Sequence, residues 1–176
     1  MTELMKHARE KVVIHTPYAV CNDYMYERLK EVTASVPVDL MINSVENGDN
    51  FVASSDYLRH KGDIIDTGVK LYEYDGGMSY HGKSMTIDGE LSIIGSYNLD
   101  LRSTYVDTEL MLVIQSEALT AQLNEVMENF EKDCRTVVDA DTYIVPDHIQ
   151  VAEVPWMKRA AWAVVGFVLQ PFRILI

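Results

Sequence analysis

The sequence predicts an α/β fold, a mixed β-sheet flanked by helices and closed by a short hydrophobic C-terminal helix. Two observations carry that prediction. Short β-branched runs alternate with helical periodicities through the first 75 residues, and three strand-like runs then follow, the first two separated by Asp88-Gly89, a strong short-range hairpin signal. The resulting order, βαβαβ followed by βββ and a helix, implies strands covered by helices packed on the sheet.

Val12-Val13-Ile14-His15 reads as a buried first strand running into Thr16-Pro17. Asn22 or Asp23 can cap a helix in which Met25, Leu29, Val32 and Val36 recur at helical spacing. Val38 to Ile42 is a second strand, and a polar loop follows through Asn50. A second helix is expected over Ala53 to Asp66, with Gly68 as its C-cap, and a third strand over Val69 to Tyr74. Gly76-Gly77 then leads into the hairpin. If Asp88-Gly89 is a two-residue turn, Ile87 pairs with Glu90, which sets His81 opposite Ser96 and Lys83 opposite Ile94. That register gathers His81, Lys83, Ser96 and Asn98 on one face, a set of groups suited to phosphate. A further strand covers Glu109 to Ile114, and Leu119, Leu123, Val126, Met127, Phe130 and Cys134 stripe one face of a closing helix.

Composition narrows the function classes. Hydrophobic residues at 48% and charged ones at 24% belong to a globular chain of 176 residues, not a disordered one. The formal net charge is −12, yet residues 151–176 hold Lys158, Arg159 and Arg173 against Glu153 alone, so the acidic excess lies in the body. An acidic body is a poor partner for nucleic acid, whose affinity rests on cations that neutralise phosphates. Cys21 and Cys134 lie in separate elements without metal-ligand spacing and read as reduced thiols. No residue cluster has metal-ligand spacing, and the expectation is no metal and no cofactor. Residues 1 to 11 are polar and of mixed charge, unlike a secretory signal. They lead almost directly into the first strand, which suggests a missing upstream portion.

The tail differs in kind. Residues 1–140 read as the catalytic portion, 141–153 as a linker, and 154–176 as a hydrophobic and basic appendage. Lys158-Arg159 precedes an unbroken apolar run from Ala160 to Leu169, too short to cross a bilayer, which takes about twenty residues. Trp156, Trp162, Phe167 and Phe172 beside those cations suit an interfacial anchor on anionic lipid; the alternative is a helix docked on this domain or on a neighbour.

His81-x-Lys83, four residues, Asp88, six residues, Gly95-Ser96 and then Asn98 resemble the HKD signature of the phospholipase D superfamily. Asn98-Leu99-Asp100-Leu101-Arg102-Ser103 and Thr108-Glu109 resemble the continuation in bacterial cardiolipin synthases. Thr16-Pro17-Tyr18 and Gly68-Val69-Lys70-Leu71-Tyr72-Glu73-Tyr74 are also similar to segments of those enzymes. The likeness runs over about residues 10 to 135 and matches the second half of a two-motif protein. It implies a metal-independent catalytic set of His81, Lys83, Asp88 and Glu109. His81 would form a phosphohistidine, Lys83, Ser96 and Asn98 would hold the substrate phosphate, and Glu109 would hydrogen-bond the imidazole. From the residues alone, Asp88 equally fits a structural role in its turn, and Glu109 a surface charge. Arg102 either pairs with a carboxylate or reaches a lipid headgroup. His7, His15, His60 and His148 lack comparable context, and His15 suits the core.

Such sites use two motifs, one histidine attacking and the other protonating the leaving group, and this chain has one; His60-Lys61 lacks the spacing of a second. The resemblance implies that the second motif comes from a missing N-terminal half or from a homodimer mate. It further implies a phosphatidylglycerol-like anionic phospholipid as substrate, at the cytoplasmic face of the cell membrane. The alternatives are a phospholipase D hydrolase, a single-motif homodimeric endonuclease, and an inactive isolated half.

Overall fold

β1 (Val12–His15) lies near the middle of the sheet because Val12, Ile14 and His15 are all buried and both of its edges are paired. The computed structural model describes residues 2–176; Met1, the first residue of the polar leading stretch, lies outside them. In chain order the elements around β1 are α1 (Thr2–Met5), α2 (Asp23–Thr33), β2 (Val38–Asn43), α3 (Phe51–Ile65) and β3 (Lys70–Tyr74). β4 (Ser84–Ile87), β5 (Leu91–Gly95), α4 (Leu101–Tyr105), β6 (Met111–Gln115) and α5 (Glu117–Glu131) follow. β7 (Cys134–Val137), β8 (Tyr143–Ile144), α6 (Trp156–Val168) and a 3-10 helix (Gln170–Leu175) complete the chain. The eight strands form one mixed sheet in the order β6-β5-β4-β1-β2-β3-β7-β8. β1, β2 and β3 are parallel and joined through α2 and α3; the remaining pairings are antiparallel.

The helix caps follow local chemistry. Asn22 Oδ1 accepts from Met25 N at 3.0 Å, and Asn50 Oδ1 accepts from Val52 N and Ala53 N. The second cap starts α3 two residues before the expected Ala53. Gly68, at φ +84°, ends the turn that closes α3, a left-handed conformation that favours glycine. α5 differs from expectation. Val126 is exposed, whereas Thr120 and Asn124 face the sheet through hydrogen bonds to Ser92 and Thr86. Cys134 is not on the helix at all but opens β7, and the β7–β8 hairpin is an addition that its short, mixed-polarity strands did not announce. β8 lies inside the expected 141–153 linker.

The Asp88-Gly89 turn forms, with Glu90 N donating to Ile87 O at 3.1 Å and both turn residues at positive φ. The register, however, pairs Ile87 with Leu91 instead of Glu90, leaving Glu90 as a bulge. Glu90 is drawn outward because its carbonyl accepts from Ser116 N beyond β6, at 2.9 Å. The slip sets Lys83 opposite Gly95, where the Lys83 carbonyl accepts from Gly95 N, and leaves His81 and Lys83 in the coil before β4. Asp88 itself accepts from the backbone N–H groups of Arg9, Glu10 and Lys11 at 2.8, 2.8 and 3.0 Å. Partial burial opposes its ionisation, yet these three donors prevail and hold the carboxyl below its ordinary value.

Beneath β3 and β7, Glu73 is fully buried and meets Tyr57 OH at 2.5 Å, Lys61 Nζ at 2.8 Å and Arg135 Nε at 2.7 Å. Tyr143 of β8 covers both cations with its ring and accepts from Lys61. This ionic set ties α3, β3, β7 and β8 together. α6 docks along the same α3: Trp162 stacks on Phe51, Gly166 packs on the Ser55 carbonyl, and Arg173 binds both Asp56 oxygens. Of the two arrangements read from the sequence, the tail is therefore held against this domain, while Trp156, Val164, Phe167 and Phe172 remain exposed. Both cysteines are buried and free.

Two stability outcomes follow from these contacts. Asp88→Ala should lower the unfolding free energy in urea by about 1–2 kcal/mol, the net worth of its hydrogen bonds. Ionised Asp88 stabilises the fold above about pH 4, and that contribution is lost as pH falls below 3.8, so the variant should lose less stability on acidification. Glu73→Ala leaves buried Lys61 without a carboxylate and Arg135 with Glu46 as its close partner, and should cost about 3–5 kcal/mol by the same measurement.

Candidate active site

At the end of β4 and β5, the chain brings five of the six expected residues into one neighbourhood. His81 and Lys83 sit on the loop entering β4, and Lys83 Nζ donates to the His81 carbonyl at 2.7 Å. The loop is fixed from below by a residue that carried no sequence signal beyond ending a strand. Asn43, buried at the end of β2, donates to Tyr80 O and accepts from Tyr80 N, both at 2.8 Å, and also donates to Pro17 O at 3.2 Å. Tyr80 packs edge-on against Phe130 at 4.8 Å, so His81 projects from a wedged base. The His81 side chain is exposed, with the Tyr18 ring edge-on at 6.1 Å.

Ser96 and Glu109 approach from the β5–β6 side. The Ser96 hydroxyl donates to Glu109 Oε2, the Ser103 hydroxyl donates to Glu109 Oε1 at 2.8 Å, and Ser103 Oγ accepts from Asn98 N at 3.3 Å. The expected bond from Glu109 to the His81 imidazole is replaced by these two serine contacts. β5 and β6 are adjacent strands, so Glu109, just ahead of β6, meets Ser96 first, while the His81 loop lies one strand further on. Asp88 stands apart at the opposite end of β4 from Lys83, about 16 Å away by the rise of five strand residues, holding residues 9–11. Its place is at the hairpin turn, not beside the imidazole.

Lys83 is the cation of this cluster. Burial lowers its pKa from the ordinary 10.5, opposed by the nearby carboxylates of Glu109, Asp100 and Asp49. Asp100 is buried and caps α4 by accepting from Ser103 N at 2.6 Å; burial raises its carboxyl above the ordinary value despite that bond. Asp49 accepts from Tyr18 OH at 2.7 Å, and that bond together with nearby His81 holds it low. Asp49 and Asp100 were not expected here. The Asp100-x-x-Ser103 spacing is a cap signature that could have flagged the second, whereas Asp49 comes from a polar loop with no pattern. Of the other histidines, His15 is buried beneath Tyr80 and bonds Glu131, whereas His60 bonds Asp63 and Gln170 and His148 meets Asp133, away from the site.

The arrangement offers an exposed imidazole, a half-buried ammonium two residues on, and hydroxyl and amide groups across a narrow gap, the parts needed to take up a phosphodiester. Comparison with known proteins places the same parts in context. The family model of the cardiolipin synthase, PLD-like domain, matches residues 1–131. Cardiolipin synthase A of Cronobacter sakazakii is 32% identical over 155 residues, covering 88% of this chain and 29% of the relative. That of Yersinia pseudotuberculosis is 30% identical over the same length, again covering 29% of the relative. The chain thus spans under a third of the length of these relatives. Among solved structures, phosphatidylserine synthase from Haemophilus influenzae superposes with a TM-score of 0.72 at 15% identity, covering 99% of this chain and 44% of that one. The phospholipase D family member Nuc from Salmonella typhimurium gives 0.62 at 17% identity, covering 77% and 87%. With the signature on its hairpin, the family match over most of its length and this sheet, the chain belongs to the phospholipase D superfamily, in its cardiolipin synthase-like branch.

Proposed function

We propose that this chain is one catalytic half of a phosphatidyltransferase of cardiolipin synthase type. The observation that carries the reading is that Lys83, two residues from His81, lies close enough to the Ser96–Glu109–Ser103 chain to feel the Glu109 carboxylate. An imidazole nitrogen of His81 attacks the phosphorus of an anionic glycerophospholipid. The bond from phosphorus to the headgroup oxygen breaks, that oxygen takes a proton from the histidine of a second motif, and a phosphatidyl-histidine remains. The glycerol hydroxyl of a second lipid then attacks the same phosphorus, giving its proton to the second histidine and releasing His81. Lys83 holds the nonbridging oxygens as a point charge, and Ser96 and Asn98 add hydrogen bonds to them. Glu109 acts through the two serines it binds, and Asp88 keeps the hairpin in place. Water in place of the second lipid would make the same site a phospholipase D hydrolase.

The second motif belongs to an N-terminal half of a longer protein. Exposed apolar residues beside the site support a docking partner there: Ile94 pairs with Leu112 across β5 and β6, Leu110 adjoins them, and all three face solvent. A homodimer mate, the arrangement that an endonuclease reading requires, is the competing source.

The substrate class also calls for a membrane surface, which we place at the cytoplasmic face. Among the described residues no helix is long and apolar enough to cross a membrane. The docked tail instead exposes Trp156, Val164, Phe167 and Phe172 beside Lys158 and Arg159, a belt suited to the headgroup region of anionic lipid.

Replacing His81 by Ala should abolish transfer while leaving circular dichroism and the urea midpoint unchanged, since the side chain is exposed; retained turnover sinks the mechanism. Light scattering in mild detergent gives the source of the second motif, a monomer pointing to a longer chain and a dimer to a mate. For the tail, the double change Val164→Asp and Phe167→Asp should reduce co-sedimentation with vesicles of equal parts phosphatidylglycerol and phosphatidylcholine about tenfold. Undiminished sedimentation would assign the apolar belt to a protein partner.

A further inference from the structure

One contact between the tail and α3 depends on a proton. His60, on α3, is engaged at both ring nitrogens: Nδ1 lies 2.8 Å from Asp63 Oδ2, and Nε2 lies 3.0 Å from Gln170 Oε1. Asp63 belongs to the same helix, whereas Gln170 opens the 3-10 helix of the tail. The imidazole therefore bridges the domain and its tail, and on both sides it meets an oxygen that accepts.

Two acceptors need two protons. A neutral imidazole has a single N–H, so it makes one of these bonds and turns the lone pair of its other nitrogen toward an oxygen. The Gln170 amide is not free to turn over and offer its own N–H, because that group donates to Gly166 O at 2.6 Å and the reversal would set two carbonyl oxygens together. The single proton is not shared evenly either. A carboxylate is the stronger acceptor, by roughly twofold, so Asp63 keeps the proton and Gln170 loses its donor. Only the imidazolium fastens both.

The other charged groups facing His60 come from three elements. On α3 itself, Asp56 Oδ1 lies 4.0 Å from Nε2, and Asp66 lines the same cleft. From the tail, Arg173 binds both oxygens of Asp56. From α2, Asp23, Tyr26, Glu27 and Lys30 face the cleft. Of these residue types only histidine ordinarily changes charge between about pH 5 and 8.

We propose that His60 is a proton-operated latch on the tail. With both nitrogens protonated it fastens Gln170 to α3; on losing a proton it lets the 3-10 helix (Gln170–Leu175) open more often. The fastening is present at low pH and is lost as pH rises through the titration of the imidazole. The segment so held carries the exposed Phe172 and ends at Ile176, whose carbonyl accepts from Arg102 N of α4. Resting on the membrane reading given above, the latch gains a direction: an anionic surface at about −30 mV concentrates protons by roughly half a pH unit, so the tail is fastened where it meets lipid.

The test reads opening of the 3-10 helix as chymotrypsin cleavage after Phe172, followed by mass spectrometry on the full chain. Rates are normalised at each pH to cleavage of an isolated peptide of residues 165–176, which removes the pH dependence of the protease. Cleavage should be about fivefold faster at pH 8 than at pH 5.5, the factor that corresponds to the net worth of one hydrogen bond. His60→Gln should make the two rates equal. Gln170→Leu, which keeps the imidazole and removes its acceptor on the tail, should do the same. Equal rates in the unaltered chain, or a difference that survives either substitution, overturns the latch. Failure of the membrane reading shows instead as undiminished sedimentation of the Val164→Asp, Phe167→Asp chain, a separate measurement.

Discussion

The position of the candidate nucleophile depends on a hairpin pinned at both ends by side-chain to backbone hydrogen bonds. At the turn, Asp88 gathers three N–H groups of residues 9–11; at the open end, Asn43 grips both backbone groups of Tyr80. Each such bond has a modest net worth, about 1 kcal/mol, but together they hold β4 in place relative to β1 and β2. An exposed histidine on an unpaired loop would otherwise sample many positions. With its base wedged between Tyr18 and the Tyr80–Phe130 contact, His81 presents its ring from a fixed point. Removing the loop's conformational freedom before substrate arrives is what a positioned nucleophile requires.

Charge is distributed to the same end. Glu73 and Glu46 together balance Lys61 and Arg135 and fasten β7 and β8, so these cations are unavailable to a ligand. At the site, by contrast, Lys83 stands among Asp49, Asp100 and Glu109, and this half on its own offers a phosphodiester more negative charge than positive. Under the proposed reading, a second motif with its own histidine and lysine corrects that balance.

The tail connects the site to its surroundings. Trp162, Gly166 and Arg173 commit one side of α6 and the segment after it to α3, and the opposite side keeps its apolar residues in solvent. The last residues return to α4, where Arg102 N donates to Ile176 O. The exposed apolar residues of the tail and the wall that its end forms beside Asn98 are therefore parts of one continuous structure.

Much of this was open to reading in the sequence, and for local reasons. Strand and helix order, the Asn22 cap, Gly68 at the end of α3 and the Asp88-Gly89 turn all rest on interactions within a few residues, so composition and periodicity report them. The resemblance likewise named His81, Lys83, Asp88, Ser96, Asn98 and Glu109 as one set, from which the structure removes Asp88 to the hairpin turn. What the sequence could not carry were choices made between distant segments. Glu90 leaves the ladder because Ser116 claims its carbonyl; Glu109 turns to Ser96 and Ser103 because adjacent strands deliver them first; Asn43 reaches a loop 37 residues away. By itself the sequence determined the α/β order and the family and named the candidate site residues, since each is written in short-range spacing. Only the tertiary structure decided their register, their partners and the docking of the tail, because a hydrogen bond or ion pair across the fold depends on which strands become neighbours, and no local pattern records that.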